Sequence, residues 1–286
     1  MNAGIKYMML ATFFYSIMNV TVKMLPDIPV FEIIFFRAVI TLLMSVVAIK
    51  RAGLSLKGNN QPLLITRGLC GMVSLFLFFV TLKEIPIASA VVIQYLSPVF
   101  STMLAVFILG QPMKHIKWVF YAIAFAGVFM VKGFDPRVSM LMFLCGLGSA
   151  LFSGFGYNVI GKLKGQDDPR VVVMYFPLVT LPIITVPTLY NWVTPTWQEL
   201  LWLIAMGVCT QLGQLYMTYS YHVENIGKVA IFQYIGIIYA LVYGYFFFDE
   251  TFNLQSIGGM ALVAGGVILS VLYSVWEKSK EAKLVN

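Results

Sequence analysis

A glutamine followed by a tyrosine occurs twice in this chain, as Gln94-Tyr95 and as Gln233-Tyr234, each time deep inside an apolar segment. An amide and a phenol can both donate and accept hydrogen bonds, and a tyrosine ring can also stack on a planar or cationic group. No nucleophile with a base at motif spacing accompanies them. The two pairs therefore predict reversible binding of a polar solute rather than bond-making chemistry, with a hydrogen bond from each Gln to a neighbouring helix as the alternative.

A second group of polar residues lies in the apolar segment 197–221. Gln211, Gln214, Thr218 and Tyr221 recur there at i, i+3, i+7 and i+10, a spacing that places them on one face of a helix. In a helix surrounded by lipid, such a face points towards the protein interior, where it lines a cavity or hydrogen-bonds another helix. The spacing leaves both interpretations open.

Further candidates are a proline, two asparagines and several tyrosines. Pro98 removes one backbone hydrogen bond and frees the carbonyl of Gln94, so it predicts a kink at a binding or gating position, with a packing kink as the alternative. Asn19 and Asn158 are equally suited to gate a passage or to cap a helix. The tyrosines that could offer a ring to a solute are Tyr15, Tyr95, Tyr157, Tyr234 and Tyr239.

Arg37 is the one charge that the sequence places well inside an apolar segment, about seven residues from its start. A charge at this depth is a functional candidate, here as a binder of a carboxylate. An ion pair with Glu32, or a bond to a helix-end carbonyl, would explain it equally well. The sequence leaves both interpretations open.

The other reactive residues favour no cofactor and no metal. The acidic residues lie in loops or near segment ends, so no mid-membrane carboxylate is available to carry a proton. The three cysteines lack CxxC spacing and a histidine partner, which disfavours zinc and a disulfide framework. The positions concerned are Cys70, Cys145 and Cys209.

The elements that position these residues are predicted to be membrane helices. The chain is 60% apolar and only 11% charged, too hydrophobic for a soluble fold, although its net charge is +7. Basic runs with interleaved aromatics are missing, which argues against nucleic acid as a partner and favours the lipid bilayer. Ten apolar runs can each cross a core of about 30 Å. They are 4–24, 30–49, 63–83, 86–109, 115–133, 138–160, 170–192, 197–221, 226–248 and 256–275.

An internal repeat with an offset of 139 residues explains the duplicated Gln-Tyr pair. The same offset relates Asn19-Val20 to Asn158-Val159 and Gly68 to Gly207. Residues 1–134 and 135–276 then form two five-helix repeats, followed by a cytoplasmic tail at 277–286. Because five is odd, the second repeat is inverted, as in transporters that rock two halves around a site near the midplane. Each Gln is predicted to lie about 10–12 Å from its own face, close to that midplane.

The distribution of Lys and Arg predicts that both termini are cytoplasmic. Of nineteen such residues, only Lys23, Lys83, Lys132 and Arg137 fall on the opposite side, and Arg37 lies within a span. Arg67 is counted here with the cytoplasmic group. The asymmetry favours a multi-pass protein of the cell inner membrane.

The paired segments "IASAVVIQYLSPVFSTMLAVFILGQPM" and "GKVAIFQYIGIIYALVYGYFFFDETF" resemble the EamA family of the drug/metabolite transporter superfamily along nearly the whole chain. The resemblance implies a central cavity lined by helices 1, 3, 4, 6, 8 and 9, a packing interface of helices 5 and 10, and allows a homodimer. "FFRAVIT" and "TRGLCG" look like the branch that carries amino acids, metabolites and S-adenosylmethionine. One departure is Gln111, which stands where the family usually has the acid kept here as Glu250.

These features together predict a secondary transporter and no enzyme. The expected solute is a small polar or amphipathic metabolite, foremost an amino acid or a derivative such as S-adenosylmethionine, exported, exchanged or taken up by alternating access. Amides and tyrosines without a buried acid favour a neutral or zwitterionic solute over a polyanion. An organellar nucleotide-sugar-type carrier, which would need basic residues at the cavity, and a channel are the alternatives.

Overall fold

The computed structural model describes residues 2–109, 114–224, 229 and 231–285, and in this part of the chain it contains helices and no strands. Ten helical stretches are long and apolar enough to cross a membrane, which confirms the predicted all-α fold with ten spans. The helices are α1 Ala3–Lys23, α2 Val30–Arg51, α3 Gln61–Glu84, α4 Ile87–Gln94, α5 Ser97–Leu109, α6 His115–Phe134, α7 Met140–Leu163, α8 Pro169–Tyr190, α9 Trp197–Val223, α10 Ile235–Phe248 and α11 Leu254–Val285.

The fourth and ninth spans both depart from the regular α-helix at the Gln-Tyr pair, and these two places are called the helix breaks. The fourth span consists of α4, which ends at Gln94, and α5, which begins at Ser97. The gap lies next to Pro98, which cannot supply the hydrogen bond that would join the two segments. In the ninth span a 3₁₀ turn, Ile231–Tyr234, precedes α10. The two repeats thus depart from the regular α-helix at corresponding positions.

The helices pack in reciprocal pairs. Helix α1 packs along α9 as α3 packs along α7, while α2 contacts α8 and α6 contacts α11. The residue contacts follow the same exchange: a Cβ atom built on Gly68 would meet Val179, and one built on Gly207 would meet Ile40, which is Val179 shifted by 139 positions. This pairing supports the predicted duplication, whereas the inversion relative to the membrane stays a prediction.

Two apolar clusters fill the bundle towards its opposite ends. One surrounds the end of α1 and includes Val22, Leu25 and Leu82, while the other surrounds the beginning of α1 and includes Met8 and Ala11. The polar side chains discussed below lie between the two clusters, so the helix breaks and the polar residues share the middle of the bundle. The last helix continues to Val285, so the predicted tail at 277–286 is helical as far as that residue.

The interface of α6 with α11, predicted from the resemblance, depends on close backbone approach at two glycines. A Cβ atom on Gly259 would lie 2.7 Å from the carbonyl oxygen of Gly127, whereas a Cβ atom on Gly258 has no neighbour within 4 Å. Overpacking of a close contact typically costs about 1–3 kcal/mol. We therefore expect Gly259→Ala to lower the thermal unfolding temperature in detergent and Gly258→Ala to leave it unchanged. Equal effects of the two substitutions would contradict this packing.

The segment between the two repeats is held by an ion pair outside the spans. The Arg137 guanidinium donates to both carboxylate oxygens of Asp135, over 2.8 and 3.0 Å, and also to the carbonyl oxygen of Thr251. The hydrogen bonds that Arg137 donates to Asp135 raise the pKa of Arg137, so the guanidinium stays charged at physiological pH. The seam of the repeats is thereby fastened to the turn that follows the ninth span.

Candidate functional site

A cavity of about 140 Å³ lies in the middle of the bundle, beside the breaks in the fourth and ninth spans. Its wall mixes hydrogen-bonding side chains with methionine and aromatic residues, as small-molecule sites do. Of the residues predicted from the sequence, it brings together Tyr15, Asn19, Arg37, Gln94, Tyr95, Tyr157, Gln214 and Gln233. The lining residues that the prediction missed include Thr12, Arg67, Ser74, Ser97, Ser153 and Phe176.

Gln94 faces the cavity and is held by two serines of α7. Its amide nitrogen donates to the Ser153 hydroxyl over 2.8 Å, and its amide oxygen accepts from Ser149 over 2.6 Å. Ser74 of α3 joins the same group through a contact of 2.6 Å between its hydroxyl and that of Ser153. The serines at i and i+4 in α7 were a detectable signal, since small polar residues at this spacing mark a helix contact in membranes.

The second Gln-Tyr pair meets the first across the centre of the bundle. The Tyr95 and Tyr234 rings lie 5.3 Å apart, and the Tyr234 hydroxyl donates to the Tyr95 carbonyl oxygen over 2.6 Å. Gln233 donates to the Tyr221 hydroxyl over 2.6 Å and lines the cavity, whereas Tyr234 lies behind it. Repeat-related residues in contact indicate that the breaks lie close to the pseudo-twofold axis.

Arg37 points into the cavity from α2. One of its terminal nitrogens donates to the Gln214 side-chain oxygen over 3.0 Å, and its guanidinium lies 4.2 Å from the centre of the Phe176 ring. The alternative ion pair with Glu32 does not form, because residues five apart are separated by about 140° around a helix. Glu32 accepts instead from the Val193 backbone amide over 3.0 Å.

Arg67 is a second buried arginine at the same cavity, on α3. It is 7% exposed and lies six residues after the start of the helix at Gln61. The distribution of Lys and Arg put Arg67 in the cytoplasmic group, although it falls inside the predicted span 63–83. The expectation that no cluster of basic residues faces the cavity, which weighed against a nucleotide-sugar-type carrier, is therefore wrong.

Several predicted residues lie away from the cavity. Gln211 donates to the Ser45 hydroxyl over 2.8 Å, so the stripe on α9 divides between the cavity and a helix contact. Thr218 bonds the carbonyl oxygen of Gln214 within α9, and Asn158 donates to the Ser101 carbonyl oxygen over 2.8 Å. Tyr239 stacks on another tyrosine, 6.2 Å between ring centres. The cavity lining does not include Pro98, Tyr221 or Tyr234, which lie next to residues that line it.

More helices line the cavity than the resemblance implies. Spans 1, 3, 4, 6, 8 and 9 all contribute, as expected. Spans 2 and 7 contribute as well, through Arg37 and Phe176, which correspond to each other at the offset of 139 residues. Their contact follows from the pairing of α2 with α8, which brings repeat-related positions together.

A salt bridge joins three spans near the end of α1. Lys23 pairs with Glu250, which also accepts from the Ile87 backbone amide over 3.0 Å, and the Lys23 ammonium donates to the Ile85 carbonyl oxygen over 2.8 Å. The first, fourth and ninth spans are thus tied together at one end of the cavity. Gln111, the repeat counterpart of Glu250, lies outside the described residues, as do the other residues of that Gly-Gln-Pro turn.

Electrostatically, the cavity is positive. Its described lining contains two arginines and no aspartate or glutamate. No group of three or more potential metal ligands occurs within the described ranges, so the wall offers hydrogen bonds, aromatic rings and two cations. This arrangement can bind a polar solute that carries negative charge.

Comparison with known proteins gives a consistent result. The model of the EamA-like transporter family matches residues 2–133 and 140–272. The chain is 30% identical to the pseudopaline exporter CntI of Pseudomonas aeruginosa, covering 94% of this chain and 96% of that protein. It is 21% identical to an S-adenosylmethionine uptake transporter of Rickettsia prowazekii, covering 88% and 86%. A crystal structure with 18% identity superposes with a TM-score of 0.69 over 94% of this chain and 96% of the other, which shows a shared fold.

Proposed function

Because the chain belongs to the EamA-like transporter family and is a membrane transporter of small molecules, not an enzyme, we propose that it carries an amino acid or amino-acid derivative by alternating access. The cavity between the two halves is the proposed site. The proposal includes residence in the cell inner membrane with both termini in the cytoplasm, which the distribution of Lys and Arg supports.

The observation that carries this proposal is the position of the cavity beside the gap in the fourth span and the 3₁₀ turn of the ninth. Broken helices near the midplane expose backbone and polar side chains where a solute can use them, and two repeats can rock around such a point. The cavity volume of about 140 Å³ suits a small solute, since an apolar cavity of similar size holds benzene. A nucleotide sugar is several times larger, which weighs against the carrier of that type.

The direction of transport is not fixed by membership in the family. One relative is named as an exporter and another as an uptake transporter. The test therefore measures exchange, which reports on the carrier independently of direction. Exchange that saturates and is accelerated by solute on the opposite side also separates a carrier from a channel.

We expect purified protein in liposomes to catalyse counter-flow of at least one member of a radiolabelled amino-acid panel that includes S-adenosylmethionine. Removing both cavity amides, in Gln94→Ala/Gln233→Ala, should reduce the exchange rate at least tenfold, because the solute loses partners for which water is no substitute inside the cavity. The matched control is Gln211→Ala. It removes a buried amide that bonds Ser45 outside the cavity, and it should retain exchange.

Two results would contradict the proposal. Failure of every panel member to exchange, with a protein that is folded by thermal unfolding, would remove the amino-acid class. Equal rates in the double variant and the Gln211→Ala control would move the binding site away from the helix breaks.

The predicted homodimer is checked on the same sample by its mass in detergent.

A further inference from the structure

The two arginines of the cavity have no carboxylate partner among the residues that the structure describes. Arg37 is 3% exposed and Arg67 is 7% exposed. The salt bridges formed within the described residues join other side chains and involve neither arginine. A buried charge without a counter-ion is strongly unfavourable, so a fold that keeps two of them at one cavity is suited to an anionic ligand.

Hydrogen-bonding capacity at the cavity is also unused. Two nitrogens of Arg37, Nε and Nη1, are buried without a partner in the described structure, and only Nη2 is occupied, by Gln214. Asn19 also lines the cavity. Its side-chain oxygen, a hydrogen-bond acceptor, is likewise buried without a partner in the described structure. The wall therefore presents free donors beside cations and one free acceptor.

The two cations approach from opposite faces of the membrane. Arg37 lies seven residues into α2 and Arg67 lies six residues into α3, and consecutive spans start at opposite faces. At a rise of 1.5 Å per residue in a core of about 30 Å, their Cα atoms are separated by roughly 10 Å along the membrane normal. Both side chains reach towards the Phe176 ring, one from each side of the membrane.

From this geometry we infer that the transported solute carries two carboxylates, one for each arginine. Given the proposed function, on which this inference rests, the solute class is a dicarboxylic amino acid or a derivative that keeps both acid groups. Its ammonium group meets the Asn19 oxygen, and its aliphatic part lies against Phe176. A solute with a single carboxylate leaves one arginine unpaired and binds more weakly.

The test compares acids with their monoamides, which have nearly the same shape and one charge less. Glutamate, glutamine, aspartate, asparagine, succinate, succinamate and O-phosphoserine are offered as competitors and as counter-flow substrates in liposomes. We expect at least one dicarboxylate to be preferred at least tenfold over its monoamide. We expect Arg67→Met to reduce exchange of that dicarboxylate about 100-fold while the monoamide changes less than threefold.

Arg67→Lys provides the matched control, because it keeps the charge and loses only the planar arrangement of donors, and it should retain part of the preference. If Arg67→Met does not fold, the comparison of competitors on the wild-type protein decides alone. Equal competition by acid and monoamide overturns the inference, and so does stronger competition by O-phosphoserine than by every dicarboxylate. In both cases exchange of other amino acids would still support the proposed function, whereas a lack of any exchange would contradict that function instead.

Discussion

Glu250→Gln is expected to lower the free energy of unfolding by about 3 kcal/mol. The substitution leaves the Lys23 ammonium without its counter-ion in a place where it is only 17% exposed, although the new amide can still accept from Ile87. Removing one member of a buried ion pair costs more than removing both, because the remaining charge stays desolvated. The measurement is unfolding in detergent followed by tryptophan fluorescence.

The double variant Lys23→Met/Glu250→Gln should recover most of that loss. Glu277→Gln is the matched control, since it removes the carboxylate that pairs with Lys114, whose side chain is 59% exposed, and exposed pairs contribute at most about 1 kcal/mol. A double variant no more stable than Glu250→Gln alone would show that the pair contributes through shape rather than charge. The same variants report on gating, since opening that end of the cavity must separate the spans that the pair joins.

Gly71→Ala is expected to reduce transport efficiency by about 10- to 100-fold and to lower the free energy of unfolding by about 1–3 kcal/mol. A Cβ atom on Gly71 would collide with the Arg67 guanidinium and would lie 2.8 Å from a carbon of the Phe176 ring. The arginine is the more flexible of the two neighbours, so it moves, and a shift of about 1 Å at a binding group can cost 100-fold in rate. Counter-flow of the best substrate measures the effect.

The matched control is Gly156→Ala on α7. A Cβ atom there would lie 3.7 Å from the side chain of the same arginine, an ordinary contact that requires no movement. Transport by this variant should stay within about twofold of wild type. If both alanines impair transport equally, the loss reflects crowding of the helices and not the position of Arg67.

The polar residues on one face of α9 show what helical spacing can predict and what it cannot. Spacing correctly indicated that the stripe is buried, since Gln211 is 3% and Gln214 is 4% exposed. It could not separate the two amides, because three residues correspond to a rotation of about 300°, which leaves them 60° apart and next to different helices. Gln214 meets Arg37 at the cavity, whereas Gln211 meets Ser45 beside it.

Arg67 shows a second limit of sequence-based prediction, which concerns the ends of the predicted spans. Whether Arg67 counts as a cytoplasmic or an intramembrane charge depends on where the span begins. A beginning predicted from hydropathy differs from the actual one by several residues. Only the packing of α3 against α7 and α8 turns the side chain inwards to the cavity. The charge of the cavity, and with it the class of solute, depended on this one assignment.

The amino-acid sequence by itself determined the properties that follow from local hydropathy and from internal similarity. These are the ten spans, the duplication at an offset of 139 residues and the departure from a regular helix next to Pro98 in the fourth span. They can be read from the chain because lipid demands long apolar helices and because proline lacks a donor. The tertiary structure decided which polar residues converge. Lys23 with Glu250, and Arg37 with Gln214, are 227 and 177 residues apart in the chain, and only helix packing brings such pairs into contact.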